Sequence, residues 1–217
     1  GAISASGSDS PDSTASVDVP KADKPMVELY VFTYCPYGLQ MEKAVIPVAD
    51  LLKNKIDFKI KQIGAMHGDF EKVEAERQLC IEKEYPDKFL IYIGEFASDT
   101  KIGTCHGEAS CVIPLINAIY NKLGIDGKKI DSCISSEGTK LFSSEENNAQ
   151  DKIVSGSPTL IINGVKVSVS RNPDAIKKVV CSAFNTVPSE CGKALGTESP
   201  SVGFGSSITS SETTASC

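Results

Sequence analysis

Eight cysteines carry most of the reactive chemistry available to this 217-residue chain, and one of them stands in an informative place. Cys35 follows an apolar run from Val27 to Phe32 that predicts a buried strand. Pro36 comes next, and proline suits the first position of a helix, where its missing N–H would have no partner. Cys35 is therefore predicted at a helix N-terminus, where the helix dipole and unpaired N–H groups favour the thiolate. Thiols in this setting have a pKa of about 3.5–7.5 instead of about 8.5 and react as nucleophiles. A buried structural thiol is the alternative.

The segment Phe32-Thr33-Tyr34-Cys35-Pro36-Tyr37-Gly38 resembles the active-site turn of thioredoxin-fold proteins of the DsbA and glutaredoxin type. Those turns usually read Cys-Pro-x-Cys, and their second cysteine resolves mixed disulfides. Here that position is Gly38. The resemblance implies thiol–disulfide chemistry with Cys35 as the catalytic residue and Pro36, Tyr37 and Gly38 as the active-site turn. The glycine predicts that the turn itself has no resolving cysteine.

A second informative stretch lies about 120 residues further along the chain. Asn163-Gly164 stands between two β-runs and predicts a hairpin, because both residues tolerate positive φ. Ser157-Pro158-Thr159, just before it, resembles the cis-proline loop of the thioredoxin fold. In that family the loop lies opposite the active-site cysteine, and the residue before the proline pairs its backbone with a bound peptide. The resemblance implies that Ser157, Pro158 and Thr159, together with Tyr34, bind substrate beside Cys35. An ordinary trans proline opening an edge strand is the alternative.

The remaining cysteines predict a disulfide framework. With Cys35 as nucleophile and Cys217 set aside as an odd thiol, left over for dimerisation or from trimming of the chain, six remain for three structural disulfides: Cys80, Cys105, Cys111, Cys133, Cys181 and Cys191. Cys181 and Cys191 bracket a turn and are predicted to pair. The other four allow three connectivities, of which we predict Cys80–Cys105 and Cys111–Cys133.

Such a cysteine set favours an extracytoplasmic location: secreted, periplasmic, membrane-tethered or in an oxidising lumen. A cytosolic protein with free thiols is the alternative. Cys105, His106 and Cys111 form an incomplete zinc set without a paired Cys-x-x-Cys, so no metal is predicted. The histidines, His67 and His106, are predicted to be loop residues, which disfavours a Cys–His protease.

Composition excludes two further classes of function. The net charge is −6 and no basic cluster is present, so nucleic-acid binding is not expected. No run of about 18 apolar residues is present that would span a membrane. With 41% hydrophobic residues the chain can bury one good core with a subdomain.

The pattern of elements predicts an α/β fold, and the resemblance implies that this fold is thioredoxin-like and DsbA-like. Strand, helix and strand up to Ile63 give a right-handed βαβ unit. A helical insert follows over about 66–154, and the hairpin at Asn163-Gly164 then leads to a closing helix with Asn172 as its cap and Pro173 at its first position. The predicted whole is a central mixed four-stranded sheet with helices on both faces and the inserted helical subdomain.

Both ends of the chain are Ser-rich, with little to bury. Residues 1–24 are predicted to be a disordered tether and residues 193–217 a disordered tail, which leaves 25–192 as the thioredoxin-like domain.

Two functions of different class follow. The first is an exported thiol–disulfide exchange protein that forms mixed disulfides through one cysteine and acts as an isomerase, reductase or deglutathionylating enzyme on cysteine-containing proteins or peptides. It needs no cofactor beyond an external thiol such as glutathione. Kinship with DsbA-type proteins implies a membrane redox partner of the vitamin-K-epoxide-reductase type. The second is a redox-inactive thioredoxin-fold module that binds peptides or proteins in its groove.

Overall fold

The structure, a computed structural model, describes residues 18–217. The strands are Met26–Val31 (β1), Asp57–Gln62 (β2), Thr159–Ile162 (β3), Val165–Val167 (β4), Ser199–Pro200 (β5) and Ile208–Thr209 (β6). The α-helices are Pro36–Leu52 (α1), Asp69–Glu84 (α2), Phe89–Ser98 (α3), Thr100–Thr104 (α4), Ala109–Leu123 (α5), Gly127–Cys133 (α6), Thr139–Asp151 (α7) and Pro173–Cys181 (α8). Short helical turns of other kinds cover Lys53–Lys55, Ile134–Gly138 and Ser189–Gly192.

The central sheet has four strands in the order β2-β1-β3-β4. β1 runs parallel to β2, with Leu29 opposite Ile60, and antiparallel to β3, with Leu29 opposite Leu160. β3 and β4 form the predicted hairpin, and both turn residues have positive φ, 47° at Asn163 and 83° at Gly164. The predicted mixed four-stranded sheet is confirmed.

The two faces of the sheet bury different clusters because successive side chains of a strand point to opposite sides. Leu29 and Val31 of β1 belong to the main core, which α1 and α8 help to cover. Tyr30, between them, packs on the other face with Ala149 of α7 and Ile161 of β3. The sheet therefore has helices on both faces, as the sequence predicts.

The helical insert is confirmed, but its predicted disulfides are wrong. The pairs are Cys80–Cys133 and Cys105–Cys111. α2 packs along α6, which brings Cys80 beside Cys133. The chain reverses between α4 and α5 through two residues of positive φ, His106-Gly107, which places the Cα atoms of Cys105 and Cys111 5.5 Å apart. Both thiols of the alternative zinc set are therefore held in one disulfide.

The closing part of the domain follows the prediction. Asn172 caps α8 by accepting a hydrogen bond from the N–H of Ala175 at 2.9 Å, and Pro173 is its first residue. The predicted disulfide Cys181–Cys191 is present.

The structure describes part of the predicted tether and all of the predicted tail. Residues 1–17 lie outside the described part of the chain. Within the rest of the predicted tether, Val19 is buried and Ala22 pairs its backbone with Ala183 and Asn185 after α8. The predicted disordered tail, 193–217, is instead packed on the domain, where the β5–β6 hairpin contacts α1. Residues 199–217 are called the strap below.

Within residues 18–217, none of the helices is both long enough and apolar enough to cross a membrane.

Candidate functional site

Cys35 stands where β1 gives way to α1. Its N–H donates to the carbonyl oxygen of Phe32 at 3.1 Å, which closes a tight turn, and Cys35 is the N-cap of α1 with Pro36 as the first helical residue. The N–H of Gly38 points at Cys35 Sγ at 3.4 Å. The residue is 0% exposed. The structure thus places Cys35 at the helix N-terminus that the sequence predicts, with one backbone N–H aimed at its sulfur.

The sulfur of Cys35 forms a disulfide with Cys217, 182 residues away along the chain. The sequence predicts a lone nucleophile at Cys35 and an odd thiol at Cys217. The turn indeed holds no second cysteine, since Gly38 occupies its position. The partner comes from the strap, and no cysteine in the described chain is free. The sequence held one signal of this pair. Of its eight cysteines, Cys35 and Cys217 are the two that remain once the other six are paired.

The loop before β3 holds Cys217 against Cys35. The Ser157–Pro158 peptide bond is cis, and the carbonyl oxygen of Ser157 lies 3.4 Å from Cys35 Sγ. Ser157 N–H donates to the backbone oxygen of Cys217 at 3.2 Å, and Cys217 N–H donates to the Ser157 carbonyl at 2.9 Å. This reciprocal pair is the arrangement of two antiparallel strands at a hydrogen-bonded position. Thr159 starts β3, and its hydroxyl donates back to the loop backbone at 2.6 Å.

Close packing explains the glycine at position 38. The hydroxyl of Ser157 accepts a hydrogen bond from the N–H of Phe32 at 3.1 Å, which ties the loop to the end of β1. A Cβ atom at position 38 would lie 2.7 Å from Ser157 Oγ. A cysteine at position 38 therefore does not fit unless Ser157 moves.

Tyr34 is partly buried among residues of the insert and the strap. Its N–H donates to Glu71 Oε2 at 2.8 Å. Its ring meets three phenylalanine rings edge-on, with centroids 4.8 Å from Phe70, 5.6 Å from Phe96 and 5.6 Å from Phe204 of the strap. Burial raises the pKa of Tyr34 well above its ordinary value. This packing joins the active-site turn to the insert and the strap, and the substrate contact of Tyr34 stays a prediction.

Glu71 of α2 is a further residue of this site, and only the charged pattern of its helix marks it in the sequence. Its carboxylate is fully buried and accepts from the N–H groups of Met66 and His67 at 2.7 and 3.0 Å as well as from Tyr34. His67 Nδ1 lies 2.9 Å from the same carboxylate. The carboxylate fixes the turn to the loop before α2, and His67 pairs with Glu71.

Tyr37 and Arg171 form the other side of the site. The Arg171 guanidinium lies over the Tyr37 ring, 5.8 Å from its centroid, and donates to Gln40 Oε1 at 3.3 Å. Its second nitrogen donates to the carbonyl oxygen of Ala215 at 2.6 Å. Burial lowers the pKa of Arg171. Arg171 therefore connects the active-site turn to the strap two residues before Cys217.

Among the described residues, Glu84, Cys133 and Glu137 lie close enough together to be considered as metal ligands. The Cys133 sulfur is bonded to Cys80, so this group offers only two carboxylates.

Neither a family model nor a curated protein matches the sequence. Solved structures do match the fold. MdbA, a thiol-disulfide oxidoreductase from Actinomyces oris, aligns with a TM-score of 0.62 at 16% identity over 76% of this chain and 83% of its own. DsbA from Mycobacterium tuberculosis, in its oxidised form, aligns with a TM-score of 0.59 at 18% identity over 80% and 95%. BdbD from Bacillus subtilis aligns with a TM-score of 0.56 at 14% identity over 75% and 89%.

The fold is therefore thioredoxin-like with the helical insert of DsbA-like proteins. The site brings together Cys35, Tyr37, Gly38, Ser157 and Pro158, and adds Cys217 and Arg171, which the sequence analysis did not place there.

Proposed function

We propose that this protein exchanges disulfides with cysteine-containing proteins or peptides through Cys35. One observation carries the proposal, and it is the way Cys217 is held. A cysteine on an extended segment is bonded covalently to Cys35 and through two backbone hydrogen bonds to Ser157. A substrate cysteine held in the same way would form a mixed disulfide with Cys35. The neighbour described as a thiol-disulfide oxidoreductase supports this chemistry.

The proposed location is an oxidising compartment outside the cytoplasm. All eight cysteines are in disulfides, three of which join residues away from the candidate site. Disulfide sets of this kind persist in secreted and periplasmic proteins or in an oxidising lumen, and are rare where thiols are kept reduced.

The turn supplies one sulfur, so the reaction of Cys35 with a substrate disulfide ends at a mixed disulfide that another thiol must cleave. An external thiol such as glutathione serves this purpose in the reducing or isomerising direction. A membrane redox partner of the vitamin-K-epoxide-reductase type would instead accept electrons from the reduced protein and support net oxidation. No cofactor is proposed beyond the external thiol.

A second candidate function is a redox-inactive peptide-binding module. The observation that favours it is that Cys35 is fully buried and already paired. In that case the disulfide is structural, and the groove beside Pro158 serves only to hold a chain.

The two candidates differ in the reactivity of Cys35 once Cys217 is removed. For Cys217→Ser we expect alkylation at pH 6 to be about tenfold or more faster than for an ordinary cysteine, because the helix N-terminus favours the thiolate. We also expect a disulfide adduct with oxidised glutathione, located on Cys35 by peptide mapping. Cys35→Ser/Cys217→Ser is the matched control and should form neither product. A folded Cys217→Ser protein that resists both reagents would rule out the exchange function and leave the binding module.

A further inference from the structure

We propose, resting on the exchange function above, that Cys217 is the resolving cysteine of this site and that residues 210–217 are a tethered arm that returns it to Cys35. The turn lacks a second cysteine because Gly38 packs against Ser157. The strap supplies the missing sulfur from the opposite end of the domain sequence.

The strap has a first anchor that does not depend on the disulfide. Lys43 Nζ donates to the carbonyl oxygens of Ser201, Gly203 and Gly205 at 2.9, 2.7 and 2.8 Å. Phe204 inserts its ring against Phe96 of α3, with 5.3 Å between centroids. Two backbone hydrogen bonds belong to the same anchor. Gly203 N–H donates to the carbonyl oxygen of Pro36 at 2.9 Å, and Gly205 N–H donates to the carbonyl oxygen of Ala97 at 3.0 Å. None of these contacts involves Cys35 or Cys217.

The second anchor is at the arm's far end. It consists of the disulfide, the two backbone hydrogen bonds between Cys217 and Ser157, and the bond from Arg171 to the Ala215 carbonyl. An extended chain with its cysteine over Cys35 thus occupies the place proposed for a substrate. A substrate and the arm compete for the same backbone groups of Ser157.

Between the anchors the arm is lightly held. The hydrogen bonds found for residues 210–214 in the described chain are local, such as that from Ser211 N–H to the Thr209 hydroxyl at 3.1 Å. Beneath the arm lies a cavity of about 430 Å³, floored by Leu160 and Val167 and bordered by Thr213 and Thr214. Once the disulfide opens, the arm is therefore free to leave Ser157 while its base stays fixed at β6.

The chemistry balances with two protein thiols. The Cys35 thiolate attacks a substrate disulfide, forms one S–S bond and expels one substrate thiolate. The Cys217 thiolate then attacks Cys35 Sγ, closes the Cys35–Cys217 disulfide and expels the second substrate thiolate. The two protein thiols give up two electrons and two protons, and the substrate disulfide becomes two thiols. An external thiol of the glutathione class reduces Cys35–Cys217 for the next turnover.

A short tether makes this resolution fast. Short flexible linkers give effective concentrations on the order of millimolar, and here the arm has about eight residues. If the first anchor were lost, the next fixed point upstream would be Pro200, whose carbonyl accepts from Gln40 Nε2 at 2.9 Å. The arm would then have about 17 residues, and the effective concentration would fall about three-fold by the three-halves power of length.

The test follows the lifetime of the adduct on Cys35. Fully folded protein with only Cys35–Cys217 reduced is mixed with a peptide carrying one cysteine as a glutathione disulfide, and acid-quenched samples are analysed by mass. We expect the wild-type adduct to decay to the Cys35–Cys217 disulfide without added thiol. The Cys217→Ser adduct should persist until glutathione is added. Phe204→Ala with Lys43→Gln should resolve about three-fold more slowly than wild type, whereas Val202→Ala, an exposed change in the same strap, should not differ.

The outcomes separate the two proposals. If Cys217→Ser forms the adduct but wild type retains it equally long, Cys217 is not the resolver, and the exchange function stands. If neither protein forms an adduct, the exchange function fails and the resolver fails with it. Should Cys217→Ser not fold, the comparison of the Phe204→Ala/Lys43→Gln protein with Val202→Ala still decides, because both retain Cys217. Equal rates for those two would overturn the tether.

Discussion

At the scale of single residues, the site depends on the absence of a Cβ atom at Gly38. The first turn of α1 and the loop at Ser157 approach so closely that a Cβ would lie 2.7 Å from the serine hydroxyl. That hydroxyl is also the acceptor for the N–H of Phe32. The close approach of Ser157 therefore excludes a second cysteine from the turn. The same serine hydroxyl holds in place the loop that is hydrogen-bonded to Cys217.

We predict that Gly38→Ala destabilises the protein by about 1–3 kcal/mol, because overpacking at this contact outweighs the gain from removing a helical glycine. Equilibrium unfolding in urea measures the change. Gly196→Ala is the matched control, since a Cβ there meets nothing within 4 Å. Combining Gly38→Ala with Ser157→Ala should cost about 1 kcal/mol less than the sum of the single changes, because the clashing atom is gone. Strict additivity would mean that the contact does not determine the choice of glycine.

The buried carboxyl group of Glu42 leads us to expect that the free energy of unfolding depends on pH. The residue is 1% exposed on α1, and its Oε2 has no hydrogen-bond partner within residues 18–217. Burial, reinforced by the charge of Glu74, raises the pKa of Glu42 from 4.5 to about 8. The folded state then holds a proton that the unfolded state releases. The stabilising contribution is fully present below pH 4.5 and is lost as the pH rises to about 8.

The expected result is a stability that falls between pH 5 and 8 with a slope of up to about 1.4 kcal/mol per pH unit from this group. Glu42→Gln, which mimics the protonated acid, should flatten the slope and be the more stable protein at pH 8. Urea midpoints at several pH values measure this, with the exposed Glu198→Gln as control. A slope that survives in Glu42→Gln would assign the dependence to another group.

At the scale of elements, α2 carries a buried ionic group that connects it to its neighbour in the insert. Glu74 accepts hydrogen bonds from Arg77, from Gln78 Nε2 at 3.0 Å and from the Tyr92 hydroxyl at 2.9 Å. Its side chain is 1% exposed and that of Arg77 is 12% exposed. The group joins α2 to α3, the two helices that contribute Phe70 and Phe96 to the pocket around Tyr34.

Arg77→Met should destabilise the protein by about 3–5 kcal/mol, because it leaves a buried carboxylate without its counter-charge. Glu74→Gln/Arg77→Met should recover much of this loss. Lys122→Met tests the contrast, since the pair Lys122–Glu95 is exposed and should contribute less than about 1 kcal/mol. Thermal unfolding of the four proteins at one pH provides the measurement. A loss for Arg77→Met no greater than for Lys122→Met would show that the buried ionic group contributes little.

The elements also show what a sequence can and cannot predict here. The hairpin at Asn163-Gly164 and the cap at Asn172 were predictable because their signals are local. The insert disulfides were not, because their pairing depends on which helices pack together, as α2 and α6 do. The strap has the composition of a disordered tail, and its order comes from distant partners. Only a lone aromatic residue, Phe204, and the odd cysteine at position 217 distinguished it in the sequence from a tail.

At the scale of the whole molecule, the Cys35–Cys217 bond joins the first turn of the domain to the end of the strap across 182 residues. Cys105–Cys111, by comparison, spans 6. In the chain-entropy model the longer closure stabilises by up to about 5 kcal/mol and the shorter by about 2 kcal/mol, because the longer one restricts the unfolded chain more. The other disulfides shorten the effective loop and make the first figure an upper bound.

Cys217→Ser should therefore lower the free energy of unfolding by about 3–5 kcal/mol, compared with about 2 kcal/mol for Cys105→Ser/Cys111→Ser. It should also increase the dependence of that free energy on urea, because the unfolded chain without the long closure exposes more surface. Urea titrations of the non-reduced proteins measure both quantities. Phe204→Ala separates the covalent from the non-covalent anchor, since it keeps the disulfide and should leave the urea dependence unchanged. If Cys217→Ser unfolds at the wild-type urea concentration with the same dependence, the bond contributes nothing to the resting fold. The first anchor alone would then hold the strap. The Cys35–Cys217 bond would serve disulfide exchange and would not stabilise the fold.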